Sequence, residues 1–180
     1  MGLRSMVGLL ASASMLVACG KALPDLGEVP DFKFTDHRAV PFGKTDLKGK
    51  IWVVDFIFTT CPGPCPAMSQ FMSELDQLFL DRPQVAFVSV SVNPAYDTPE
   101  VLAEYAKRFR ASDKWHFLTG SEEAVLALSV NGFKIGDPND VIAHSQRFVL
   151  VDASQRIRGT YLSSEPSDRD ALKNDIEALL

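Results

Sequence analysis

The chain predicts an α/β fold, a three-layer sandwich in which helices flank a mixed β-sheet. Three observations point there. Residues 51–58, IWVVDFIF, are almost continuously apolar and β-branched or aromatic, the pattern of a central strand buried on both faces. Residues 66–80 then place Met68, Phe71, Met72, Leu75, Leu78 and Phe79 at steps of three and four, which marks one face of a helix. This strand-helix alternation repeats before a closing hairpin and helix, so the sheet combines parallel and antiparallel pairs.

The other elements follow in order. Residues 20–30, GKALPDLGEVP, hold two prolines, two glycines and little periodicity, and read as a tether. Residues 31–35 alternate briefly, and 37–50 carry turn residues around one strand, AVPF. VAFVSVSV (85–92) is a second core strand. Thr98-Pro99-Glu100 opens a helix reaching about Phe109: Thr as N-cap, Pro in the first turn, an acid at the positive end of the dipole. Residues 115–118 form a short strand. Ser121-Glu122-Glu123 opens a helix ending near Asn131-Gly132. Residues 148–151 and 157–161 form a hairpin turning at 152–155, and 167–180 an amphipathic helix.

The beginning of the chain stands apart. Arg4 and the amino terminus supply positive charge, and an uncharged apolar run, 6–18, follows. It is too short to span a hydrocarbon core as a helix and suits the apolar region of a signal peptide. It ends in Leu16-Val17-Ala18-Cys19-Gly20, which resembles a bacterial lipobox, the motif whose cysteine is lipidated and becomes the first residue. The expected organisation is a lipoprotein signal peptide over 1–18, a lipid-anchored tether over 19–30 and one domain over 31–180. That domain would be exported, in the periplasm or otherwise outside the cytoplasmic membrane, and held to a bacterial membrane, inner or outer, by the lipid on Cys19 alone. With a net charge of −5, nucleic acid is excluded as a partner, because no basic face is evident. Lys107-Arg108-Arg110 and Arg156-Arg158 read as solvated faces.

With Cys19 assigned to lipid, Cys61 and Cys65 remain, four apart where the buried strand passes into a helix. On a first helical turn such a pair shares one face, and the dipole of the helix N-terminus favours thiolate. A disulfide merely stapling this turn would contribute only about 2 kcal/mol, little for a domain with this much core. Thiol-disulfide exchange is a second reading, but thioredoxin motifs place two residues between their cysteines rather than three. No proline lies between Pro138 and Pro166, where thioredoxin-type oxidoreductases carry a cis-proline. A soft-metal site is the third: two thiolates with an imidazole suit copper, and zinc prefers a fourth ligand that is not obvious here. His144, just ahead of a core strand, is the candidate imidazole. His116 in WHFL reads as packed or surface-facing, His37 as a turn residue and Met68 as core.

The segments FIFTTCPGPCPAMS (56–69), VSVSVNPAYDTPEVLAEYAKRF (88–109), WHFLTG (115–120) and IAHSQRFVLVDASQRIRGTY (142–161) resemble the Sco/SenC copper proteins. These are assembly factors for cytochrome c oxidase with a thioredoxin-like fold. The resemblance covers most of the domain, and CPxxCP followed by a distant His-Ser is its specific part. It implies copper, as Cu(I) or Cu(II), held by Cys61, Cys65 and His144, with Cys61 and Cys65 able to cycle to a disulfide. It implies a copper chaperone for the binuclear copper centre of the oxidase, with the copper-bearing subunit and other copper chaperones as partners. The alternative is a thiol-disulfide oxidoreductase that reduces cysteines of the oxidase or of other exported proteins. A monomer is expected. Two departures remove negative charge: Asn93 stands where the family commonly has Asp, and Ala143 where an acidic residue usually precedes the histidine.

Overall fold

The structure is a computed structural model that describes residues 22–135 and 146–180. Its single sheet runs β2-β1-β5-β4-β3-β6-β7. The strands are β1 (Lys33–Asp36), β2 (Pro41–Gly43), β3 (Ile51–Ile57), β4 (Val85–Ser91), β5 (Trp115–Thr119), β6 (Arg147–Val151) and β7 (Ile157–Leu162). Strands β3, β4 and β5 are parallel, and β1, β6 and β7 join antiparallel. The mixed three-layer sandwich expected from the pattern is the one that forms.

Alternation along the strands splits the core in two. Val53 and Ile57 of β3, Phe87 of β4 and Phe117 of β5 face a layer made by α1 (Cys65–Leu78), α2 (Pro99–Arg108) and α4 (Pro166–Leu179). Trp52, Val54, Phe56 and Val88 face the opposite side, covered by α3 (Glu122–Leu126), Phe133 and the N-terminal strands. Each face takes every second side chain, so β3 is apolar almost throughout. Asp55 is its exception.

The predicted helix starts are those found. Thr98 caps α2, its hydroxyl accepting from Val101 N, and Ser121 caps α3, accepting from Ala124 N. The third helical segment ends at Gly132, as expected, but only Glu122–Leu126 of it is α-helical. Beyond Leu126 it widens into a π turn, Ala127–Gly132, and this delivers Phe133 against Trp52 and Phe56 at ring-centroid distances of 6.0 and 5.9 Å. Gly132 suits the place because a Cβ there would lie 3.0 Å from the Pro30 ring.

Residues 22–30 correct the expected tether. Leu26 N donates to Ile157 O, Ile157 N to Gly27 O and Val29 N to Gln155 O, at 2.8–3.0 Å. Val29 is fully buried. Arg156 grips Asp25 through Nε and Nη2, and Arg158 Nη2 donates to Leu23 O. These arginines therefore bind the N-terminal arm instead of forming a plain solvated face. Low helical and strand periodicity misread the arm, because its order comes from β7 and not from its own pattern. Val29→Ala should lower the stability of the domain by about 1–3 kcal/mol in a denaturant titration, as expected for a buried aliphatic truncation. An unchanged midpoint would return residues 22–30 to the status of a free tether.

Candidate thiol and metal centre

The central strands set the site. In the β3–β4 register Ile57 pairs with Ser91, and Val92 N donates to Ile57 O at 2.8 Å. The two parallel strands thus end side by side, and the loops that leave them, 58–64 and 92–98, are neighbours. Carboxyl ends of parallel strands are the usual place for sites in α/β sheets.

Loop 58–64 is stiff. Cys61 N donates to Phe58 O at 3.2 Å, closing a turn. Pro64 is already in the helical region at the N-cap of α1, and Pro66 occupies the first turn. Cys65 is the first residue of α1 and completely buried, while Cys61 keeps 8% of its surface. The two thiols are hydrogen-bonded to each other, and no disulfide joins them. The sequence-predicted pair is therefore brought together as dithiol.

Electrostatics at the pair differ from expectation. Burial, foremost, pushes the Cys65 thiol up to about 12. The hydrogen bond with Cys61 and the charges of Cys61 and Asp55 add to this, and a backbone hydrogen bond with Phe58 opposes it. A helix N-terminus does favour thiolate, but only by a fraction of what full burial costs the charged form. At Cys65 burial wins.

Two carboxylates that pattern reading passed over stand beside the pair. Asp97, fully buried in loop 92–98, accepts from Ser91 Oγ at 2.6 Å, Thr59 N at 3.1 Å and Thr59 Oγ1 at 2.5 Å. Asp55, in mid-β3, faces the same layer as Cys65. Both its carboxylate oxygens are buried with no hydrogen bond of good geometry. The Ser89 hydroxyl on the paired β4 position moderates its charge but is engaged by Trp115 Nε1 at 3.0 Å. Burial therefore raises the Asp55 carboxyl to about 7. Tyr105 of α2 joins this region, its hydroxyl 3.0 Å from Ser69 Oγ of α1, and burial carries it to about 12. An acid inside IWVVDFIF is itself a sequence signal. Asp97 offers none, since its partners lie 6 and 38 residues away.

The other sequence candidates divide. His144 and Cys19 lie outside the described residues. Met68 is buried core, as expected. His116 Nδ1 meets Asp36 Oδ2 at 2.6 Å with its ring against Phe42, and His37 Nδ1 accepts from Phe117 N. Both histidines serve the β1–β5 junction. Among the described residues no cluster of three or more metal-ligating side chains forms.

The family model for SCO1/SenC matches residues 22–180. The chain belongs to the SCO1/SenC family. A solved SCO1/SenC family lipoprotein from Bacillus anthracis is 32% identical, with a TM-score of 0.76 over 84% of this chain and 94% of that one. BsSco, a member of the Sco family of cytochrome c oxidase assembly proteins in which a disulfide switch was identified, is 29% identical. Its TM-score is 0.77 over 89% of this chain and 98% of that one. A Stutzerimonas stutzeri protein to which copper binding is attributed is 30% identical over 148 residues, 76% of this chain and 70% of its own length. The thioredoxin-like fold is thus the fold of this chain.

Asp55 makes stability depend on pH with a definite sign. Its folded value of about 7 exceeds the ordinary 3.8, so between those values the folded state holds a proton that the unfolded state has lost. Stability from this group is present below pH 4 and is lost as pH rises towards 7. Asp55→Asn, neutral throughout, should melt higher than the parent at pH 8 and gain less at pH 5. The difference should be on the order of 1–4 kcal/mol, since one pKa unit is worth about 1.4 kcal/mol. Equal gains at both pH values would show that Asp55 is ionised in neither fold nor coil over this range, or in both.

Proposed function

We propose that this protein binds copper through Cys61, Cys65 and His144 and serves the assembly of the binuclear copper centre of cytochrome c oxidase. The observation that carries this reading is the hydrogen-bonded dithiol at the first turn of α1 in a chain of the SCO1/SenC family. Two sulfurs held side by side fit a soft ion, and a thiolate pair with one imidazole is a donor set suited to copper. Copper bound there would be delivered as cargo to the copper-bearing subunit. The oxidase is the partner of the related BsSco by its description, and copper is attributed to the S. stutzeri relative.

The chain's own residues set the conditions. Cys61, with part of its surface open, meets an incoming ion or thiol first, and Cys65 completes the site from beneath. Cys65 must give up its proton to bind, and with a thiol at about 12 that proton competes throughout the physiological range. Metal affinity should therefore climb as pH rises from about 6 to 9, by up to about tenfold per unit for each proton released.

The second reading, thiol-disulfide exchange, has its own observation. The thiols already touch through a hydrogen bond, so oxidation to a disulfide needs little rearrangement, and BsSco carries a disulfide switch. Oxidised protein should then take up no Cu(I) until reduced. Titration of reduced protein with Cu(I) should reach one equivalent, and Cys61→Ser or Cys65→Ser should abolish it. Stoichiometric Cu(I) on either variant would remove the copper site from the pair. His144→Ala should weaken Cu(I) binding but largely abolish Cu(II) binding, because Cu(II) prefers nitrogen donors. Unchanged Cu(II) affinity would exclude His144 as ligand and favour the oxidoreductase.

Anchoring through Cys19 completes the proposal. No helix among the described residues is long and apolar enough to cross a membrane, and the B. anthracis relative is a lipoprotein. The lipid on Cys19 would hold the domain at the outer side of the cytoplasmic membrane or beyond it, with only residues 19–21 between lipid and fold. Cys19→Ser should lose fatty-acid incorporation in metabolic labelling. Equal incorporation in parent and variant would refute the lipobox.

A further inference from the structure

Asp97 of loop 92–98 ties that loop to the one that carries Cys61. It is completely buried, and its bonding partners among the described residues are two hydroxyls and one amide, none of them a cation. A buried carboxylate is costly unless its lone pairs are filled, and here they are filled from the end of β4 and from loop 58–64. Ser91 closes β4 on one side. Thr59, on the other, stands two residues before Cys61. The loop that holds Asp97 is itself braced, since Asp97 N and Tyr96 N both donate to Asn93 O, and Asn93 N donates to Ser91 Oγ. Thr98, next in the chain, then caps α2. Asp97 is thus fixed to the sheet and to α2 before it reaches across to Thr59.

The two sulfurs are positioned by different elements. Cys65 moves with α1, whose buried face is locked against the sheet. Cys61 lies on the turn that begins at Phe58, and its backbone is held by Phe58 O. The residue between these anchors that is tied to the rest of the fold is Thr59, through both its amide and its hydroxyl to Asp97.

We propose that Asp97 is a positioning residue for Cys61: through Thr59 it fixes the 58–61 turn, and thereby sets how readily Cys61 and Cys65 act together, as disulfide or as a metal pair. Joint action of two sulfurs depends on their effective concentration, which a loosened turn lowers. The inference rests on the proposed use of the pair, but its first readout needs no metal. In a glutathione buffer the reaction is balanced: both thiols lose their protons and two electrons, the Cys61–Cys65 S–S bond forms, and the S–S bond of glutathione disulfide is cleaved to two thiols.

Thr59→Ala removes the hydroxyl bond and Thr59→Ser retains it, while Asp97→Asn replaces one acceptor by a donor. The equilibrium constant for disulfide formation should fall about tenfold in Thr59→Ala, a shift of about 30 mV towards easier reduction, and at least as far in Asp97→Asn. Thr59→Ser should stay within twofold of the parent. In a separate competition titration Cu(I) affinity should fall about 10- to 100-fold in Thr59→Ala, the range for supporting contacts around metal ligands. Ser112→Ala is the structural control. It removes a comparable hydroxyl bond, to buried Asp76 on the far part of α1, and should lower the melting temperature without moving the potential. The positioning role is overturned if Thr59→Ala keeps the parent potential, or if Ser112→Ala shifts it as much. Should Asp97→Asn fail to fold, the Thr59 pair decides alone. A parent protein that binds no Cu(I) would refute the copper reading, while the disulfide equilibrium would still test Asp97.

Discussion

Strand β3 is buried on both faces and hydrogen-bonded along both edges, to β4 on one side and β6 on the other. Neither β4 nor β6 can shift without dragging it, and it cannot shift without opening both halves of the core. Its carboxyl end therefore has a fixed place in space. Loop 58–64 begins there, α1 returns from there over the sheet, and the end of β4 lies beside it. The thiol pair inherits its precision from that strand. What remains adjustable is the short turn between Ile57 and Cys65, and this is where Pro62, Pro64 and the Asp97 bonds are concentrated.

Two electrostatic effects oppose each other at the first turn of α1. The helix N-terminus offers partial positive charge, which favours thiolate and is worth at most about 2 kcal/mol in a partly buried setting. Burial of a whole thiolate side chain opposes it, and the nearby carboxyl of Asp55 adds to that opposition when ionised. The sum leaves Cys65 a thiol. Burial is stronger here because the same packing that locks α1 onto β3 excludes water from its first residue. A precise site and a readily ionised inner cysteine are therefore in competition, and this fold favours precision.

Most of the architecture was legible because it rests on local periodicity. Period-two and period-3.6 patterns found β3, α1, β4, α2 and the β6–β7 hairpin within a residue or two. The failures share one cause: order imposed from a distance. Residues 22–30 lack any pattern of their own and are ordered by β7, Arg156 and Arg158. The π turn after α3 depends on Phe133 finding Trp52 and Phe56 across the core. The cysteines were visible through their spacing; Asp55 was passed over, although an acid in an apolar strand is a signal that could have found it. Asp97 was invisible, since a polar residue in a loop reads as solvated until its partners from another loop are seen. The thiolate expectation failed for a related reason, because helix phase reveals the dipole whereas burial needs the third dimension.

The unequal exposure of the two sulfurs gives the site a direction. Both cysteines are buried, but Cys61 keeps 8% of its surface and Cys65 none, so under the proposed function an ion or partner thiol would meet Cys61 first. Engaging Cys65 would then displace a proton from a group that resists losing it. Such an order suits both chemistries considered for the pair. A copper ion can be received and passed on through the outer sulfur, because a two-coordinate exchange needs only one exposed donor at a time. A disulfide would be opened at the same atom. The buried thiol in either case acts as the latch, and its hold depends on how firmly the 58–61 turn keeps Cys61 within its reach.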